Sequence, residues 1–243
     1  MSQLSSIKSV KRSQDGTRPP PPPSKIFIHL LIDRSYSMIS LQDSLLNSIN
    51  EFIQTQQKLS TSHNTTLTIT TFDTIKTTLQ NFNDVPLNLA PQINPQDIQP
   101  RASTRLIDSA MEVLFQQQKQ KNHYLQNNPS ILPHQVLCIF ALLTDGQDNV
   151  SQKFSSQDLQ SYLSQLQNDN QLTAYFLASN QDAITSGTNL GFTPGKSITY
   201  TPSPLQTTTA FRAVSAAVAQ SSQGIQTDFT PLQREQSISQ PSL

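Results

Sequence analysis

Net charge, cysteine and long apolar runs are what this chain has least of. Sixteen Lys and Arg offset sixteen Asp and Glu, and charged residues make up only 13% of the 243. With no basic excess there is no electrostatic footprint for nucleic acid or for an anionic membrane, and neither is expected as a partner. The single cysteine, Cys138, excludes an intrachain disulfide and a cysteine-based zinc site. It lies within VLCIFALLT and reads as a buried, inert thiol. The opening MSQLSSIKSVKRSQDG holds no apolar h-region, and no segment approaches the length of a membrane span. A cytoplasmic protein is the expectation.

What is present organises itself into three parts. Residues 1–24 are polar and end in a proline run at 19–23. Such a segment cannot bury enough apolar surface to order itself, and its prolines favour extended polyproline II, as in a spacer or a docking peptide. Residues 223–243 read as a second loose, flexible tail. Between them, residues 25–222 alternate apolar runs with amphipathic stretches. Residues 26–32 form a strand apolar on both faces, as in a covered parallel sheet. Leu41, Leu45, Ile49, Phe52 and Ile53 recur at helical spacing. Residues 67–72 read as a strand, and 75–82 as another after a link too short for anything but an antiparallel pair.

Helical spacing returns at Leu106, Ala110, Val113 and Leu114, and again at Leu159, Tyr162, Leu163 and Leu166. Residues 136–143 are the most apolar strand, with further strands at 172–178 and 198–200. Ser203 and Pro204 supply an N-cap and a first-turn proline for a last helix, whose Ala210, Val214, Ala217 and Val218 face inward. The alternation argues an α/β fold, doubly wound, with a mostly parallel Rossmann-like sheet, one antiparallel strand and helices on both faces.

Sheets of this kind bind ligands outside the carboxyl ends of their strands, where the strand order reverses. Two strands end alike. The first delivers Asp33, Ser35 and Ser37, and CIFALLT runs into Asp145 and Gly146. Ala102-Ser103-Thr104 stands between them in sequence, at the start of a helix. Together the loops can bring two carboxylates and three hydroxyls to one point. Two acids so placed repel unless a cation or a proton separates them. Hard oxygens with few carboxylates suit Mg²⁺ better than zinc.

At these residues the chain resembles the von Willebrand factor A domains, in the small stand-alone form of bacteria and their phages. DRSYS matches the D-x-S-x-S motif, and ASTRLIDSA and LLTDGQDN are similar to the second and third metal loops. The likeness runs on through YFLASNQDAITSGTNLGFTPGKSITYTPSP to about residue 222. It implies a metal-ion-dependent adhesion site in which Ser35, Ser37 and Thr104 act through hydroxyls and Asp33 and Asp145 partly through waters. The cation implied is Mg²⁺, with Mn²⁺ and Ca²⁺ as alternatives. The ligand implied is a carboxylate offered by a partner protein, and the partner class extends to assemblies that contain an ATPase. Three positions depart from the family pattern: Tyr36 and Ala102 stand where glycine is common, and Arg105 where a small or apolar residue is usual. Tyr36 either obstructs the loop or lines its rim, and Arg105 either steadies a bound carboxylate or faces solvent.

Other polar residues take plainer readings. Asp108 suits the first turns of its helix by its charge alone. Asp148 and Asn149 read as loop polar groups, Asp73 as the end of a strand, and His29 as a satisfied core histidine. His63, His123 and His134 are too scattered for a zinc site. The leading function is a non-enzymatic binding module. The alternatives are a metal-dependent hydrolase or phosphotransferase on the same acids, and a structural protein with a vestigial site. Against an enzyme, Arg34-Ser35 follows Asp33 where a phosphatase needs a second acid, and neither a phosphate-binding glycine loop nor a nucleophile elbow is present.

Overall fold

The computed structural model describes residues 23–59, 61–179 and 182–238. The expected N-terminal spacer, all but its last two residues, lies outside them. The strands are β1 (Lys25–Asp33), β2 (Thr65–Phe72), β3 (Lys76–Thr78), β4 (Val85–Pro86), β5 (Val136–Thr144), β6 (Thr173–Ser179) and β7 (Ser197–Tyr200). They form one sheet in the order β3-β2-β1-β5-β6-β7, with β4 also on β2. Pairing is parallel from β2 through β7. The antiparallel edge comes in two short pieces, β3 on residues 70–72 and β4 on residues 66–67 of β2. Only 76–78 of the expected third strand pairs, because residues 80–82 coil into a 3-10 turn.

Helices α1 (Gln42–Gln57), α2 (Leu106–Asn127), α3 (Ser156–Asn168), α4 (Ala183–Asn189), α5 (Pro204–Ser221) and α6 (Pro231–Ile238) cover the sheet. Alternation along β1 explains why both its faces are apolar. Ile26, Ile28, Leu30 and Ile32 join the core beneath α1 and α5, while Phe27 and Leu31 join the one beneath α2 and α3. At roughly 1.5–3 kcal/mol for each large apolar side chain removed from water, this strand is a stiff central post. His29 is only half satisfied: Nε2 lies 2.7 Å from the Thr70 hydroxyl, and Nδ1 is buried without a partner. Burial, with the charge of Lys76 adding to it, lowers its pKa to about 3. Its imidazole is therefore neutral at physiological pH.

Ser203 caps α5 as its sequence suggests, accepting the Gln206 amide, with Pro204 in the first turn. Two helices were not legible. Asp182 caps α4 by accepting the amides of Ile184 and Thr185. The larger correction is at the C-terminus, where the expected loose tail instead carries α6 against the free edge of β7. Arg234 donates to the carbonyls of Pro194, Gly195 and Ser197. Ser237 donates to Thr199 O at 2.6 Å, and its own carbonyl accepts the Thr201 amide at 3.0 Å. Side chains three apart on a helix thus meet outward-facing carbonyls two apart on a strand, and an exposed sheet edge is covered. Phe229, buried, packs on Tyr175 at 5.8 Å. No helix among the described residues is long and apolar enough to cross a membrane.

Candidate metal centre

The strand order reverses between β1 and β5, and the loops carrying Asp33, Ser35, Ser37 and Asp145 leave the sheet there. Asp33, the last residue of β1, is fully buried. Its Oδ1 accepts the Ser35 amide at 2.8 Å, and its Oδ2 accepts the Thr144 hydroxyl at 2.6 Å. Thr144 closes β5, so the carboxylate is pinned from both central strands. Its Oγ1 also lies 3.0 Å from Gly146 O and 3.1 Å from Gly146 N. Having one proton, it gives that proton to the charged and nearer acceptor. The Ser35 and Ser37 hydroxyls lie 3.1 Å apart, and Ser37 donates to Asp145 Oδ1 at 2.7 Å. One chain of short contacts therefore joins Asp33 to Asp145 through both serines.

Thr104 arrives on the loop before α2. Its amide donates to Asn149 Oδ1 at 3.0 Å, and its carbonyl accepts the Asn149 amide at 3.0 Å. Asp148 accepts the Ile107 amide at 3.1 Å. Asp108 is buried and accepts the amides of Gln152, Lys153 and Phe154 at 2.9–3.0 Å. Burial pushes the Asp108 carboxyl up, but these amides and the Arg105 charge outweigh it and hold it below the ordinary range. Asp108, Asp148 and Asn149 are thus a clasp between the second and third loops, not merely a favourable first-turn charge and loop polar groups.

The first and second loops are clasped by Asp73, which does more than end a strand. Its Oδ2 takes Arg34 Nε at 2.9 Å and Arg101 Nε at 2.7 Å, and its Oδ1 accepts the Ile75 amide at 2.9 Å. The backbone adds Arg101 N to Arg34 O at 2.8 Å and Tyr36 N to Ala102 O at 3.1 Å. Ala102 has φ 58°, the left-handed region that favours glycine, which explains the glycine common at this position in the family it resembles. The clasp holds that strained residue in place. Tyr36 is 66% exposed and stands at the rim without obstructing the loop. Arg105 is committed elsewhere, at 3.0 Å from both Asp108 and Glu112 with its side chain only 15% exposed.

Asp33 and Asp145 have no basic partner among the described residues. Burial lifts the Asp33 carboxyl to about 6 against the bonds from Thr144 and Ser35, and the Asp145 charge adds to the rise. Burial raises Asp145 as well. The Thr104 hydroxyl has no hydrogen bond recorded among the described residues and lies 3.8 Å from where a Cβ on Gly146 would begin. Two under-compensated carboxyls linked through hydroxyls fit a hard divalent cation. Among the described residues no group of three or more His, Cys, Asp or Glu could hold a metal ion, so a cation here must rely on hydroxyls.

No family model and no curated protein sequence matches the chain. Solved structures do. Proximal thread matrix protein 1 from the mussel byssus superposes with TM-score 0.55 at 15% identity, covering 82% of this chain and 49% of its own. A second structure of that protein, described as having a zinc-occupied MIDAS motif, gives 0.54 at 14% identity, covering 81% and 46%. The chain thus spans about half the length of the mussel protein. The vWF domain of the type V pili tip protein Mfa5 from Porphyromonas gingivalis gives 0.52 at 11% identity, covering 83% and 97%. The chain has the fold of a von Willebrand factor A domain. At these identities the likeness is one of fold.

Proposed function

We propose that this protein is a non-enzymatic binding module that holds a divalent cation, Mg²⁺ foremost, through Asp33, Ser35, Ser37, Thr104 and Asp145, and grips an acidic group of a partner protein there. The observation that carries it is the chain of short contacts joining Asp33, Ser35, Ser37 and Asp145, two acids with no basic partner among the described residues, with the Thr104 hydroxyl beside Gly146. A divalent cation removes the repulsion between these acids and accepts a further carboxylate because hydroxyls supply much of its shell. The chain's own residues do the positioning: β1 and β5 fix Asp33, and the two clasps hold the loops in register. The structure of the mussel protein described with a zinc-occupied MIDAS motif supports a divalent cation on this fold.

A pull-down from a native extract, run with Mg²⁺ and with chelator on wild type and Thr104→Ala, tests this reading. Partners should be retained by wild type with Mg²⁺ and lost in the other arms. Retention of the same proteins in all arms would refute the reading.

A further inference from the structure

At the amino ends of the strands, the pole opposite the candidate cation site, a cavity of about 350 Å³ opens beside the starts of β5 and β6. Pro23, Val136 and Leu137 give it apolar walls, and Asn170 and Gln226, both exposed, stand at its rim. Thr173, the first residue of β6, also lines it. This residue is 2% exposed, and its hydroxyl is buried without a partner among the described residues. An acceptor that reached the hydroxyl would restore the hydrogen bond it gave up on leaving water. Among the described residues no Asp, Glu, Lys or Arg lines the cavity, so a charged occupant would shed its hydration without meeting a counter-charge.

The chain itself enters the described structure here. Pro23 is fixed at the cavity wall: its carbonyl accepts the Asn64 side-chain amide at 2.7 Å, and the next amide, Ser24 N, donates to Gln135 O at 2.8 Å. Residues 19–22, immediately before it, are all proline, whereas Lys8, Lys11, Arg12, Asp15 and Arg18 charge the stretch before them. Four residues of extended polyproline cover roughly 12 Å, which keeps the run beside the cavity. Prolines bring ring methylenes for the apolar walls and carbonyls for Thr173 and the rim amides, and they carry no N–H that would need a partner. Their fixed φ, and the restriction each places on the residue before it, leave little conformational entropy to lose on docking. The other terminal stretch outside the described residues, 239–243, follows Ile238. The carbonyl of Ile238 accepts the Thr201 hydroxyl just past the carboxyl end of β7, at the far end of the sheet. Reach and chemistry select the same four residues.

We infer that this cavity is the docking site for the chain's own proline run, residues 19–22, which ties the N-terminal segment to the pole opposite the cation site. The inference is independent of the cation reading. NMR of the full chain tests it. Nuclear Overhauser contacts should join the ring protons of residues 19–22 to the methyls of Leu137 and Thr173, and a mixture of labelled and unlabelled chains should show that they arise within one chain. Pro20→Asp combined with Pro21→Asp puts charge into an uncharged cavity, so these contacts should vanish and the amides of Asn170 and Thr173 should shift. A capped Thr-Arg-Pro-Pro-Pro-Pro peptide should then return those amides to their wild-type positions. Wild type, its cavity already filled by a tethered competitor, should take the peptide about tenfold more weakly. Absence of the contacts, contacts that come from a neighbouring chain, or equal uptake of the peptide by variant and wild type would overturn the inference.

Discussion

Asp33→Asn should make the cation-free protein more stable at neutral pH. The folded state raises this carboxyl from 3.8 to about 6, by burial first and the Asp145 charge last. At 1.36 kcal/mol per pK unit the ionised side chain costs the fold on the order of 3 kcal/mol above pH 6. The sign follows from proton binding: between 3.8 and 6 the folded chain holds this proton more tightly than the unfolded one. Stability in chelator therefore falls as pH rises through that window and levels off above it. Burial raises Asp145 too, so its contribution has the same sign. Asparagine keeps the shape, and its carbonyl can accept the Ser35 amide. Thr144 can then turn its proton to Gly146 O, 3.0 Å away. For a chain of this size about 3 kcal/mol corresponds to roughly 6–12 °C in Tm. Melts in chelator from pH 4 to 8 should show the variant more stable at pH 7 and the gap closing towards pH 4. Saturating Mg²⁺ should stabilise only wild type. A variant less stable than wild type in chelator at pH 7 would refute the reasoning.

Thr104→Ala removes a hydroxyl with no hydrogen bond recorded among the described residues, so its unfolding free energy should stay within about 0.5 kcal/mol of wild type while Mg²⁺ affinity falls in calorimetry. Asp108→Ala unfastens three amides and one of the Arg105 partners, and should cost about 3 kcal/mol in urea unfolding. Ending the chain after residue 230 removes Arg234 and Ser237 from the edge of β7. That should lower stability by roughly 2–4 kcal/mol and produce concentration-dependent self-association in light scattering.

The parts of the fold that could be read in the sequence are those whose packing repeats along the chain. Beta-1 and β5 show as apolar runs because helices cover both faces, and α5 shows through the cap at Ser203 and its inward Ala210, Val214 and Val218. Alpha-6 does not, because Arg234 and Ser237 anchor it to backbone carbonyls about forty residues back, a polar contact with no periodic trace. The site divides in the same way. Asp33, Ser35, Ser37, Thr104 and Asp145 sit at strand or helix ends, where type and position point to chemistry, and short contacts join the two aspartates through the two serines. Thr144 was hidden as the polar end of an apolar strand. Asp73, Asp108, Asp148 and Asn149 looked like ordinary turn residues because their partners lie far off in the chain.

The central claim is that these five oxygens hold one divalent cation, and electron paramagnetic resonance of Mn²⁺ added to metal-free protein tests it most directly. One bound ion per chain is expected, displaced by Mg²⁺ and lost in both Asp33→Asn and Asp145→Asn while their melts show folded protein. Absence of bound Mn²⁺, or a bound ion indifferent to both substitutions, would contradict the account.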